Sequence, residues 1–94
     1  MYVPRIKDID TALWIYYQYT ELDTKLIKML FPDIKQGTMS KLRKQVKIVM
    51  AERNIKTFGR NHINTKCAFE VFGIDVEDLE QRKAKIRKLG LDKQ

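Results

Sequence analysis

Apolar residues recur at helical spacing along most of the chain. Between residues 8 and 20, Ile9, Ala12, Leu13, Tyr16 and Tyr19 share one face at 100° per residue, with Trp14 on the opposite side and Ile15 between. Asp8 or Asp10 can cap this first helix, because a short acceptor satisfies the orphan amide hydrogens of an opening turn. A second helix is expected over 24–31. Asp23 is its cap, Leu26, Ile27, Leu30 and Phe31 form its apolar side, and Pro32 is its stop. The turn "PDIKQG" follows, in which Ile34 alone is apolar and is placed to plug the space between two helices. A third helix is then expected from just after Thr38 to about residue 53. Met39, Leu42, Val46, Val49 and Met50 fall on one side of it. Ser40, Lys41, Lys44, Gln45 and Lys47 lie away from that side, with Arg43 on the flank. Asn54 suits a left-handed cap.

Residues 55–63, "IKTFGRNHI", break the periodicity and read as a loop or a short hairpin around Gly59. Phe58 is expected to plug the core, since single aromatics beside helices usually pack. A fourth helix is expected over 65–72, capped by Asn64 and closed by Gly73. Asp75 opens a fifth over 76–89, ended by Gly90. Its early Glu77, Asp78 and Glu80 and its late Arg82, Lys83, Lys85, Arg87 and Lys88 complement the helix dipole and permit an Asp78–Arg82 pair. Its apolar stripe of Val76, Leu79, Ile86 and Leu89 is thin and interrupted by Lys83, which leaves it free to extend into solvent or to pack on a second copy. "TKLIKMLF" (24–31) and "TKCAFEVF" (65–72) share a Thr, a Lys and the final Phe. The expected fold is all-α, a compact bundle of about five short helices in one domain over 1–94. Within it lie a core over 8–54, a basic loop or wing over 55–63 and a C-terminal helical hairpin over 64–90.

Composition narrows the class. An apolar share of 44% over 94 residues is that of a small globular domain and excludes a disordered chain. Cys67 is the only cysteine, so no intrachain disulfide can form and a reducing compartment is the natural one. The longest apolar run, 12–17, is far too short to span a bilayer, and the N-terminus shows no apolar signal core. The expectation is a cytoplasmic protein without a membrane partner.

Charge changes the picture most. The formal net charge is +7, and it is segregated. Residues 1–33 carry a net of −1, residues 34–66 a net of +8, and residues 67–94 a net of zero. Lysines scattered for solubility would not concentrate in one third. A localised positive field is the electrostatic footprint of nucleic-acid binding.

Around residues 23–54, two helices joined by a turn carry Gln36 and Thr38 at the turn. Ser40, Lys41, Lys44 and Gln45 follow in the opening turns of the second helix. Lys and Gln can read base edges, and Ser and Thr can bond bases or phosphates. This stretch resembles the helix-turn-helix modules of small phage, plasmid and bacterial regulators. It departs from their commonest pattern, with Ile27 or Lys28 where a small residue is usual and a longer turn, "PDIKQGT". The resemblance implies sequence-specific binding of double-stranded DNA. The helix over 39–53 would enter the major groove, acting by occupancy as a transcriptional regulator or a mobile-element accessory factor. Lys41, Lys44 and Gln45 would face the bases, while Arg43, Lys47, Lys56 and Arg60 would engage phosphates. Homodimers are common among such binders.

Other readings are weaker. Residues 67–86 also run helix–Gly–helix, but Glu77, Asp78 and Glu80 would repel phosphates, which favours packing or dimerisation there. His62 and Cys67 are too few to hold a structural zinc, and His62 reads as a surface or capping residue. Cys67 sits in an apolar helix as an inert thiol, and no glycine-rich phosphate loop appears. No catalytic residue, metal or cofactor is expected. The competing function is a protein-interaction module that docks its basic face on an acidic partner, with Trp14 or the fifth helix adding apolar contact. Trp14 itself is expected to be covered by the fifth helix or the N-terminal arm.

Overall fold

Short acceptor side chains start four of the five helices found among residues 4–90, the part described by a computed structural model. The expected domain limits at 1 and 94 lie outside these residues. Asp8 accepts the Thr11 amide at 2.6 Å and opens α1 (Ile9–Gln18). That bond is the main reason its carboxyl lies below the usual carboxylate range. The chain leaves α1 two residues earlier than expected and turns extended as β1 (Glu21–Leu22). Asp23 then accepts the Leu26 amide at 2.9 Å to open α2 (Thr24–Leu30). Phe31 caps α2 from outside the helix, because Pro32 disfavours helical geometry at the residue before it.

α3 (Gln36–Glu52) begins earlier than the sequence pattern indicates and has no side-chain cap. Gln36 and Thr38 therefore lie inside its first turn and not in the connection before it. Gly37 is the second residue of that turn. Arg53 ends α3, and Asn54 takes the expected left-handed conformation at φ 55°. Residues 55–62 form a loop that leads into β2 (Ile63–Asn64). The expected alternative of a local hairpin around Gly59 does not occur. β2 pairs instead with the distant β1, antiparallel, in the register Glu21↔Asn64 and Leu22↔Ile63. The expected helical class with about five helices holds for the described residues, and this ladder is added to it, since two-residue strands are too short to announce themselves through alternation. Asn64 accepts the Cys67 amide at 2.9 Å and opens α4 (Thr65–Phe72), which closes on Gly73 at φ 73°. Asp75 caps α5 (Val76–Lys88), and Arg82 pairs with Asp78 at 2.9 Å.

α3 packs on α4 and β2, α2 on α1 and β1, and α5 on α1. Ile15, Leu22, Leu30, Phe31, Val46, Ile63, Phe69 and Phe72 are among the buried residues of one continuous core. Cys67 is buried in it as expected, and Ile34 packs against its edge. Lys83, which breaks the apolar stripe of α5, reaches Asp10 on α1 at 2.8 Å. Trp14 is corrected: it stays 45% exposed and contacts Tyr19 edge-to-face at 5.4 Å.

The echo between 24–31 and 65–72 has a structural counterpart. Each segment is a helix that follows a two-residue strand and a capping Asp or Asn. Leu22 and Ile63, which correspond when the two segments are superimposed in sequence, are direct cross-strand partners. Phe31 and Phe72, the last residue of each echo, meet edge-to-face at 5.2 Å. The first strand–helix–helix unit (β1, α2 and α3) thus meets the second (β2, α4 and α5) at the Leu22–Ile63 and Phe31–Phe72 pairs.

Candidate nucleic-acid interface

α3 buries Met39, Leu42, Val46 and Met50, and this fixes where its remaining side chains lie. At 100° per residue, Lys41, Lys44 and Ile48 form the crest opposite the core, all exposed. Gln36, Ser40, Arg43 and Lys47 descend one flank. Thr38 and Gln45 lie on the other, Thr38 partly buried and Gln45 exposed. Eight of the ten candidate contact residues are therefore divided between a crest and two flanks of α3, and Lys56 and Arg60 lie in the loop that follows it.

The flank with Arg43 and Lys47 continues into the loop after α3. Ser40, Arg43, Lys44 and Lys47 line a shallow groove with Ile48 and Ala51. Lys47 and Ala51 also line the adjoining hollow that holds Lys56 and Arg60. Lys47 Nζ donates to the Arg60 carbonyl oxygen at 3.0 Å, which joins helix to loop. Lys44, Lys47, Lys56 and Arg60 are thus brought together, whereas Thr38 and Gln45 stand apart from them. Arg43 is half-buried. Its Nη2 donates to Thr24 Oγ1 at 2.8 Å, and its enclosed Nε finds no hydrogen-bond partner among the described residues. Arg53 pairs with Glu70 on α4, and that carboxylate raises its pKa further. It does not join the basic groove.

The loop is held from below by Glu21. One carboxylate oxygen accepts the Phe58 amide at 2.8 Å, and the other lies 2.9 Å from His62 Nδ1. These contacts, the Phe58 amide first and His62 second, place the Glu21 pKa below its ordinary value. His62 is thus a brace for the loop and not a simple surface residue. Gly59 is required beside it: a Cβ there would lie 2.4 Å from the His62 ring. Thr57 Oγ1 lies 3.1 Å from the Gly59 carbonyl oxygen and 3.2 Å from that of His62, tightening the turn.

Phe58 corrects the expectation of a core plug. Its ring is fully exposed, because its amide is turned inward to Glu21 and the core is already closed by Phe31, Phe69 and Ile63. Ile48, Phe58 and Glu21 are the parts of this surface that sequence reasoning missed. Ile48 was visible on the helical wheel as an apolar residue outside the stripe. Nothing local marked Glu21, whose partners are distant in sequence.

No helix among the described residues is long and apolar enough to cross a membrane. No group of three or more His, Cys, Asp or Glu side chains is gathered among them in a way that could hold a metal ion. Comparison of the chain with protein-family models, with curated proteins and with solved structures finds no match.

Proposed function

We propose that the protein binds double-stranded DNA through α3 and the loop that follows it, in the manner of a helix-turn-helix. The observation that carries this reading is the one-sided distribution of cations about α3. Lys41 and Lys44 crown the helix, while Arg43, Lys47, Lys56 and Arg60 gather along a single flank and its adjoining loop. A helix fits the major groove when its crest meets base edges and its flank meets one backbone strand. Lys44 and Lys41 would read guanine edges, and Ile48 would meet a thymine methyl. Gln45 would reach bases from the far flank. Lys47, Lys56 and Arg60 would neutralise phosphates. Gln36 and Ser40, in and just beyond the opening turn of α3, would bond the backbone where free amides and the helix dipole favour an anion. Thr38 is left to position the helix. The Arg43–Thr24 bond supports the helix-turn-helix reading, since it ties the start of α2 to the middle of α3. The role is binding by occupancy, as a regulator or an accessory factor of a mobile element in the cytoplasm.

Fluorescence anisotropy with a labelled duplex at two salt concentrations tests the proposal. Affinity should fall with salt at a slope of about −0.9 per phosphate contact. The variant Lys47→Ala/Lys56→Ala/Arg60→Ala should show a shallower slope. Lys41→Ala/Lys44→Ala should lose affinity and sequence preference. Unaltered duplex affinity of the Lys41/Lys44 variant at low salt would sink the reading.

The exposure of Trp14 and Tyr17 on α1 favours a second reading. In it the protein is an interaction module whose basic face docks on an acidic protein, with α1 adding apolar contact. Absence of binding to any nucleic acid at low salt would select it.

A further inference from the structure

Residues 57–62 form a ridge with different chemistry on its two sides. On one side Lys47, Lys56 and Arg60 line the basic hollow next to α3. On the other, Phe58 and Tyr19 border a separate hollow above Glu21 and Leu26. The Phe58 ring stands fully exposed on that second side. The backbone that carries it is held in place: the Phe58 amide is bonded to Glu21, the His62 amide donates to the Gly59 carbonyl oxygen at 3.1 Å, and Lys47 holds the Arg60 carbonyl oxygen.

We infer that Phe58 stacks on an unpaired base of the DNA whose backbone lies in the basic groove. This inference rests on the DNA-binding reading and adds a preferred form of the ligand, a duplex interrupted by an unpaired nucleotide. A nucleotide carries an anionic phosphate and an apolar π face on opposite sides of its sugar. The loop offers cations on one side and an aromatic face on the other, in the same order. Single-strand binders combine these two features, a cationic track and an aromatic on which a base stacks. A paired base within an intact duplex is already stacked on both faces and offers Phe58 no surface. The preference therefore falls on bulges, forks and junctions. Because the ring is exposed and the loop is pinned before binding, little ordering remains to oppose the contact.

The test compares one labelled duplex with the same duplex carrying a single unpaired adenine, by anisotropy at fixed salt, for the whole chain and for Phe58→Ala and Phe58→Trp. The wild type should bind the bulged DNA more tightly by roughly 5- to 150-fold, the range of base–aromatic stacking. Phe58→Ala should lose that preference while keeping its affinity for the intact duplex, and Phe58→Trp should retain it. A thermal melt of Phe58→Ala should match wild type, since the ring packs on nothing. Equal binding of both DNAs, or a preference that survives in Phe58→Ala, overturns the inference and leaves the DNA-binding reading standing. Failure to bind either DNA removes the DNA-binding reading itself.

Discussion

The carboxylate of Glu21 accepts the Phe58 amide and meets the His62 ring, and both contacts favour its charged form. A carboxyl whose folded pKa lies below its unfolded value stabilises the fold above the unfolded value. That stabilisation is lost as pH falls through the lower, folded one. The loop over 57–62 should accordingly stay closed through neutral pH and loosen only in acid, seen as faster exchange of the Phe58 amide hydrogen. Glu21→Gln should bring the same loosening at pH 7, with little change in the exchange of core amides. Gly59→Ala should displace His62 from Glu21, because the added methyl group meets the imidazole ring. Chemical shifts of the His62 ring report on that displacement. None of this was legible at Glu21 in the sequence, where a lone acidic residue before a helix cap carries no signal. Cys67 and the capping acids Asp8, Asp23 and Asp75 were legible, because burial in an apolar run and a helix-opening turn are local properties.

α3 owes its position to a stripe that the sequence spells out, with Met39, Leu42, Val46 and Met50 at helical spacing. Its start was not legible. Lys35 offers no capping side chain, and Gly37 looks like a stop when read beside Pro32 and Asp33. The space about a Cβ at Gly37 is open, so Gly37→Ala should stabilise the protein by about 0.5–1 kcal/mol in thermal or urea unfolding. If α3 enters a groove by its opening turn, the same change should weaken duplex binding, since glycine permits the closest backbone approach. α4 illustrates the opposite case. Asn64 is both the second residue of β2 and the N-cap of α4, so strand and helix share one residue. Asn64→Ala should cost about 0.5–2 kcal/mol through the lost cap, measured by urea unfolding.

The whole molecule is organised by the antiparallel β1–β2 pair and by the meeting of Phe31 with Phe72. Each ties the first strand–helix–helix unit to the second, so neither unit is expected to fold alone. A single cooperative transition should appear on heating. A double-mutant cycle on Phe31→Leu and Phe72→Leu should return a coupling of about 0.5–1.5 kcal/mol, the range of edge-to-face aromatic pairs. The three shared residues of the two echoes hinted at this arrangement. They could not reveal that the echoes face one another, since antiparallel pairing of two residues leaves no periodic trace.

The sequence by itself determined the five helices, most of their caps, the left-handed Asn54 and the segregation of positive charge. Each follows from interactions within a few residues: spacing on one helix, a side chain bonding an amide three residues on, a turn that needs positive φ. Tertiary structure alone decided the β1–β2 ladder, the exposure of Phe58 and Trp14, the bracing of the loop by Glu21 and the joining of Lys47 to Arg60. Those depend on groups far apart in the chain, whose distances are set only when the core around Leu22, Ile63, Phe31 and Phe72 closes.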